Sequence, residues 1–362
     1  MLWLVKGLGA GGAERLLLLS ARRRGPGIRP SVAYLLPWKD ALRPDLEATG
    51  VPVTCLGARR VWDPRWILRL RRLLDDFDVV HAHSPLAAVG ARIARASRPR
   101  RRPALITTEH NVWGSHARAT RVADDLTARG RETHLAVSEA VRSSLPARLR
   151  ATTEVVRYGI DVPATVERRS RRTAVRSELG FSDDDLVVGT VANLRATKGY
   201  PDLLAAAREV VAAVPAARFV AVGQGPLADD LAAARDATGL GDRFTFLGYR
   251  ADAPAVMAAF DVFCLASHYE GLPIALMEAL ALGLPVVSTT AGGIRELVTA
   301  DVDAVLVPPG EPGRLAAALT EVLTRPDRRA ELAAAAAARG AALDVGDAVA
   351  RVEAVYAEVA AR

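Results

Sequence analysis

The sequence predicts an α/β protein of two doubly wound domains, each a parallel sheet with helices on both faces. Three observations carry that prediction. The chain has 362 residues, which at roughly 100–200 residues per domain makes about two domains with a sizeable core in each. Short apolar strand, Gly-bearing turn and helix alternate along the chain, pause at a polar, Arg-rich stretch around Pro163–Arg172, and begin again; this is the pattern of βαβ units. The charge divides at the same place. Residues 1–165 carry 28 Lys/Arg against 15 Asp/Glu, or +13, and the remainder 20 against 26, or −6.

In the first half LWLVKGL, SVAYLLP, VPVTCLG, DVVHAH, ALITTEH and HLAVS read as short buried strands. AERLLLLSARRR, DPRWILRLRRLLDD, PLAAVGARIARAS and SEAVRSSLPARL between them read as helices. The second half repeats the scheme with LVVGTVANL, ARFVAVG, FTFLG, DVFCLAS, LPVVSTT and AVLVPP, interleaved with Ala-rich helices. The expected domains are 1–162 and 163–343, with Pro163–Arg172 as linker. The amphipathic helix 344–362 packs either on the second domain or back on the first.

With 50% apolar and 25% charged residues, disordered and fibrous classes are excluded. No apolar stretch reaches the ~20 residues of a membrane span. The opening LWLVKGLGAGGAER lacks a basic leader and a cleavage site, so it reads as a first strand rather than a signal peptide. Cys55 and Cys264 read as separate buried thiols of a cytoplasmic protein. Only three of the 48 basic residues are Lys; a GC-rich genome and an anionic partner of the basic half both account for that.

Open parallel sheets bind ligands beyond the carboxyl ends of their strands, and two such domains make the cleft between them the default site. Gly7-Leu8-Gly9-Ala10-Gly11-Gly12 satisfies G-x-G-x-x-G between a strand and a helix. The dinucleotide fingerprint also needs an acidic residue closing the second strand, and SVAYLLP runs into Leu35-Leu36-Pro37-Trp38 instead. The loop is read as a close backbone approach to a phosphate or sugar, or as a plain tight turn.

The most specific segment is HYEGLPIALMEALALGLPVVSTTAGGIREL, residues 268–297. It follows a strand and opens a helix whose first residue is expected to be Pro273, so the free N–H groups there, with Gly271 and Leu272, form an anion site. Glu270 lies just outside that helix and Glu278 about a turn and a half inside it, in apolar company that gives a carboxylate there a purpose. A diphosphate on the helix end, one carboxylate on sugar hydroxyls and one on ribose hydroxyls suits a nucleotide sugar. In VVGTVANLRATKGYPDLLAAA, Arg195 and Lys198 lie in a strand-to-helix turn, where they can clamp a diphosphate. VGQGPL (222–227) adds a Gly-flanked turn and FLGYR (246–250) a strand end that can flank a base.

The second half thus resembles the donor-binding domain of retaining glycosyltransferases of family 4, with the GT-B fold of two Rossmann-like domains facing across a cleft. The residues that carry the resemblance are the N-x-R-x-x-K-G turn Asn193–Gly199, VGQGPL, FLGYR, the E-x7-E segment Glu270–Glu278 and the GG of TTAGGIREL. The first half is similar more loosely, through GGAER at Gly11–Arg15, HAHS, TEHNVW and VSEAV. The resemblance implies that Arg195 and Lys198 hold the donor diphosphate, Glu270 the transferred sugar and Glu278 the ribose. The Gly271–Pro273 backbone meets the phosphates, while Gly11 and Gly12 approach from the other domain. Asn193, Gly223, Leu247 and Tyr249 complete the donor side, and His110 sits where the family keeps a His near the reacting sugar. The family usually has an Asn before G-I-D at the domain boundary; this chain has Tyr158.

The implied reaction is sugar transfer from a UDP- or GDP-sugar to an acceptor hydroxyl with retention, in cell-envelope glycan, glycolipid or polysaccharide synthesis. Double displacement needs carboxylates about 5–5.5 Å apart, whereas eight residues of helix span about 12 Å. A front-face mechanism in which the leaving phosphate takes the acceptor proton is therefore expected. Arg195 and Lys198 stand in for a divalent metal, and no cofactor is required. Asp183–Asp185 reads as a solvated turn at the wrong end of the sheet. His81 and His83 share a strand face without a third metal ligand, which leaves core filling or acceptor contact, the latter assigned to His83. WDPRWILRLRRLL, with Trp62 and Trp66, reads either as an ordinary helix packing its Leu face on the sheet or as an acceptor-side contact with an anionic membrane surface, to which Arg22–Arg24 and Arg98–Arg102 add positive charge. The alternatives are a GT-B epimerase, for which no second acid–base set is visible, and a non-catalytic sugar-nucleotide binder. A nucleic-acid partner is not expected, for want of any recognition motif. The expected partners are a nucleotide sugar, an anionic lipid-linked or glycan acceptor, and the inner face of the cytoplasmic membrane.

Overall fold

The structure is a computed structural model that describes residues 1–9, 11–60, 63–97, 103–128 and 132–361. The chain forms two compact units, Met1–Tyr158 with Val345–Arg362, and Gly159–Asp344. Both are parallel sheets flanked by helices, as the alternation in the sequence requires.

The first sheet contains β1 (Leu2–Val5), β2 (Ser31–Tyr34), β3 (Val53–Cys55), β4 (Val79–Ala82), β5 (Ala104–Glu109), β6 (Thr133–Ala136) and β7 (Thr153–Val155). Their spatial order is β3-β2-β1-β4-β5-β6-β7. The second contains β8 (Leu186–Val191), β9 (Ala217–Val222), β10 (Phe244–Gly248), β11 (Val262–Leu265), β12 (Val286–Thr289) and β13 (Val305–Val307), in the order β10-β9-β8-β11-β12-β13. Each order reverses between the first strand and its fourth, so the switch point falls between β1 and β4, and again between β8 and β11. The crevice beyond the carboxyl ends at such a point is where doubly wound sheets take ligands. The loops that leave those strands therefore carry Gly7–Gly12 and His83 in one unit, and Asn193–Gly199 and Ser267–Pro273 in the other.

Small residues set the helices down on the sheets. Gly90 lies under the Trp66 ring, which would be 1.8 Å from any Cβ placed there. Gly340 brings the helix Pro326–Ala341 onto the backbone of Leu280 and Ala281. The first unit also buries a charged knot. Arg92 on the helix Pro85–Ala96 pairs with Asp124 at 2.6 Å and Glu132 at 2.9 Å, all three side chains at most 6% exposed. Such a knot holds only while every partner is present.

Two expectations need correction. Pro163–Arg172 is no linker: it folds as the helix Val162–Glu167, a 3₁₀ turn Arg168–Arg171 and the start of the helix Arg172–Glu178. Two of its arginines are bound to second-unit backbone. Arg169 donates to the Ala281 and Leu282 carbonyls at 2.8 and 3.0 Å, capping the helix Ile274–Ala281, and Arg172 donates to the carbonyls of Ala258 and Phe260. Trp66 lies in the core rather than on a surface that an acceptor or a headgroup can reach. It is 2% exposed, because the helix Arg65–Leu73 turns Trp66 and Leu70 inward. Trp62 and Arg98–Arg102 lie outside the described residues.

The last helix, Gly346–Ala360, belongs to the first unit. Arg351 holds Glu154 through two bonds of 2.6 and 2.8 Å, and Glu353 accepts from the Gly25 amide at 2.8 Å. No helix among the described residues is long and apolar enough to cross a membrane.

Candidate functional site

In the second unit the expected donor residues converge at the β8/β11 switch point. After β8 the chain makes a 3₁₀ turn, Ala196–Lys198, and enters the helix Tyr200–Ala213 through Gly199. Gly199 has φ +62°, and a Cβ on it would lie 2.0 Å from the Ala266 carbonyl oxygen, so only glycine lets the two loops touch. The loops are stitched at three further points. The His268 amide donates to the Thr197 carbonyl at 2.9 Å, the His268 ring meets Asp202 at 2.6 Å, and Lys198 Nζ donates to Glu270 Oε1 at 2.7 Å.

Glu270 is 6% exposed and is positioned from several sides. Ser267 Oγ donates to the same Oε1 at 2.6 Å. Thr289 Oγ1 donates to the Ser267 carbonyl at 2.6 Å, which ties this loop to the end of β12. The Gly293 amide donates to the Glu270 carbonyl at 3.2 Å. Gly292, at φ +51°, passes so close that a Cβ would lie 1.9 Å from that carbonyl oxygen.

The helix beyond begins at Ile274, with Pro273 as its N-cap rather than its first residue. The Leu276 and Met277 amides close onto the Pro273 carbonyl at 3.1 and 3.3 Å. The Ile274 and Ala275 amides are then first-turn donors with no acceptor inside the helix. Gly271, Leu272 and Pro273 are buried, and Glu278 is buried within this helix at 7% exposure. Arg195 is exposed in the neighbouring turn. The residues expected to flank a base come together too. The Gly223 amide donates to the Gly248 carbonyl at 2.8 Å, which sets VGQGPL against the β10 end that carries Leu247 and the exposed Tyr249. Gly223 and Gly225 lie so close to the carbonyls of Ala192 and Leu194, either side of Asn193, that a Cβ would stand 2.0 and 2.3 Å from them.

In the first unit His83 and His110, at the ends of β4 and β5, meet ring to ring. His83 Nδ1 is 3.1 Å from His110 Nε2, and the rings stack with centroids 5.4 Å apart. Burial, first of all, lowers both from the ordinary value, His110 to about 4, so both are neutral near pH 7. His81 lies against His83 at 4.1 Å and is fully buried, between the hydroxyls of Tyr356 and Thr108 at 2.7 Å each. Beneath His110, the Glu109 carboxylate accepts from the His110 and Asn111 amides at 2.9 and 3.0 Å and pairs with His116 at 3.0 Å. Burial alone would lower His116, but Glu109 raises it on balance. Gly11 caps the helix Gly12–Arg23, and Glu14 folds back over Gly11; its carboxyl is raised by burial against the opposing pull of Lys39 and Lys6.

The residues that sequence reasoning missed are supports: Ser267, Thr289, His268, Asp202 and Tyr356. The first three stand in or beside the 268–297 segment and the GG pair hinted at a close approach. No local signal could have brought Tyr356 to His81.

Comparison with known proteins gives a consistent picture. A family model described as glycosyl transferases group 1 matches residues 171–339, and one described as Glycosyltransferase Family 4 matches residues 5–163, so that together they cover nearly the whole chain. The chain is 29% identical over 328 residues to a GDP-mannose-dependent alpha-(1-6)-phosphatidylinositol monomannoside mannosyltransferase of Mycobacterium tuberculosis, covering 83% of this chain and 82% of that one. It is 35% identical over 191 residues, 52% of this chain, to a 2-deoxystreptamine N-acetyl-D-glucosaminyltransferase of Streptomyces fradiae. The chain spans about half the length of that relative and others like it, 45% and 50% in two cases. Among solved structures, Anabaena HepE in complex with UDP-glucose superposes with a TM-score of 0.86 at 25% identity, over 99% of each chain.

Proposed function

This chain belongs to the family 4 glycosyltransferases, with the GT-B fold, and on that premise we propose that it moves a sugar from a nucleoside-diphosphate donor to an acceptor hydroxyl with retention at the anomeric carbon. The observation that carries the reading is the Lys198–Glu270 pair at the start of the helix Ile274–Ala281. A buried carboxylate beside an anion-binding helix end would repel a diphosphate. Lys198, at 2.7 Å, balances it and keeps two further N–H donors for phosphate oxygens. Arg195 adds a second cation, and the Ile274 and Ala275 amides add dipoles. Glu270 then reads sugar hydroxyls, Glu278 ribose hydroxyls, and the Gly223, Leu247 and Tyr249 edges flank the base.

As the glycosidic bond to the leaving phosphate stretches, charge grows on that phosphate, where the cations and amides already point. One such donor is worth about 3 kcal/mol of barrier. The phosphate takes the acceptor's proton on the face it leaves, which returns the anomeric configuration of the donor. The neutral His83–His110 pair offers hydrogen bonds to hydroxyls without adding charge.

The acceptor is read as anionic and lipid-linked or glycan, from the first unit's positive balance. The relatives support this: besides the mycobacterial enzyme, an Escherichia coli relative at 27% identity over 289 residues is named for a diphosphoundecaprenol acceptor. Contact with the inner face of the cytoplasmic membrane is part of the proposal. Trp66 plays no role in it. The exposed Leu68, Ile93, Val122 and Leu126 on three adjacent helices of the first unit, with exposed Arg65, Arg72 and Arg118, are the better surface.

The test is release of nucleoside diphosphate from a panel of UDP-, GDP- and ADP-sugars, followed by the anomeric configuration of the product. Turnover of one donor with retention is expected. Failure to bind or turn over any donor overturns transfer, and an inverted product overturns the mechanism.

A further inference from the structure

The histidine stack of the first unit is tied to the last helix, and no step of the transfer above uses that tie. We propose that Tyr356 is a positioning residue: through His81 it fixes the ring state in which His83 and His110 face the acceptor. What the stack does rests on the transferase reading; how it is held rests on geometry alone.

The direction of each hydrogen bond follows from one donor. An indole N–H only donates, so Trp3 Nε1 gives its proton to the Tyr356 hydroxyl at 3.0 Å. Among the described residues the acceptor in reach of the hydroxyl's own proton is His81 Nδ1, 2.7 Å away, so the hydroxyl donates there. A neutral His81 that accepts at Nδ1 carries its proton on Nε2, and this donates to Thr108 Oγ1 at 2.7 Å. Thr108 in turn hydrogen-bonds Tyr158, the residue that stands where the resemblance leads one to expect Asn. Trp3, Tyr356, His81 and Thr108 are each at most 4% exposed, so bulk water cannot replace a lost partner and the run has one polarity from end to end.

That polarity reaches the reactive edge by contact. His81 lies 4.1 Å from His83, which stacks on His110 and shares a hydrogen bond with it. A His81 turned to the other tautomer would set N–H against O–H at Tyr356, rotate, and push the His83 ring against which it packs. His83 Nε2 is buried and has no hydrogen-bond partner among the described residues, so it is the ring atom with a bond to spare for a hydroxyl that reaches the stack. The charged and titratable groups around the stack are Glu109 beneath His110, Tyr158 beside it, and Tyr356 with Glu353 on the last helix.

The test uses the full chain with Tyr356→Phe, which keeps the ring and removes the hydroxyl. Imidazole nitrogen NMR should show a single Nε2–H tautomer for His81 in the wild type and a tautomer mixture in the variant. Turnover should fall about tenfold, the low end of what losing a hydrogen bond that orients a functional histidine costs, with the donor KM unchanged. An unaltered His81 spectrum with wild-type turnover overturns the proposal. Should Tyr356→Phe fail to fold, Trp3→Phe removes the donor that sets the polarity and must also give mixed tautomers; a single tautomer there overturns the proposal equally. A wild-type protein that turns over no donor defeats the transferase reading instead, and leaves the spectra to decide the role of Tyr356.

Discussion

In the second unit, Ser267, Glu270 and Gly271–Pro273 are near neighbours in sequence, and Lys198 reaches them from the adjoining strand end. They are held by backbones pressed together at Gly199 and Gly292. In the first unit, the groups around His83 come from β1, β4, β5 and the last helix, and they are held by side-chain hydrogen bonds and stacked rings. The two units also differ in charge. Regrouping residues by compact unit leaves the balance at +13 for the first and −6 for the second. The proposed anion site lies in the negative unit, which teaches that a few fixed cations and a helix start outweigh bulk charge.

If the first unit depends on buried side-chain polarity, cutting its charged knot should have the largest effect. Arg92→Ala strands Asp124 and Glu132 and should cost about 3–5 kcal/mol, read as loss of an early transition in urea unfolding; a cost below 1 kcal/mol would break the comparison. In the second unit, Lys198→Ala should lower turnover by about 10²–10³, while the unfolding transition of that unit shifts far less than in the Arg92 variant.

Acid should separate the units next. Five of the six histidines lie in the first unit. Burial holds His81 to about 3, and His110 and His134 to about 4, while His83 is well below its usual value. The unfolded chain takes up these protons near pH 6.5 and the folded one does not, so stability is full above pH 6.5 and falls as pH drops toward 4. His110 alone contributes on the order of 3 kcal/mol over that window. Circular dichroism and fluorescence between pH 6.5 and 5 should show the first unit melting earlier while the second is little changed; simultaneous melting would contradict this. Smaller again, Gly292→Ala forces a Cβ toward the Glu270 carbonyl at positive φ. It should cost about 1–3 kcal/mol and weaken donor binding, which calorimetry with a nucleoside diphosphate measures.

This contrast also explains what could be read from sequence. The two parallel sheets follow from strand–turn–helix alternation, and the Glu270–Glu278 segment is contiguous, so its residues arrive together. Trp66 misled because an Arg-rich helix with Trp looks amphipathic from either side. Gly90, far along the chain, leaves the room that lets the indole face inward. Pro163–Arg172 misled because Arg169 and Arg172 find backbone carbonyls 86 to 113 positions away, such as Ala281 from Arg169. Tyr356 is invisible for the same reason, since its bond to Trp3 spans 353 positions.

That span has a consequence for how the molecule is made. The first unit is begun by the ribosome and completed only when residues 346–360 emerge, after the whole of the second. At ~5–20 residues per second, Trp3 and His81 wait tens of seconds for the hydroxyl that orders them. A nascent chain can therefore close the unit proposed to take the nucleotide sugar while the unit proposed to face the acceptor still lacks its last helix. The order proposed for the histidine stack becomes available only once synthesis has passed Tyr356.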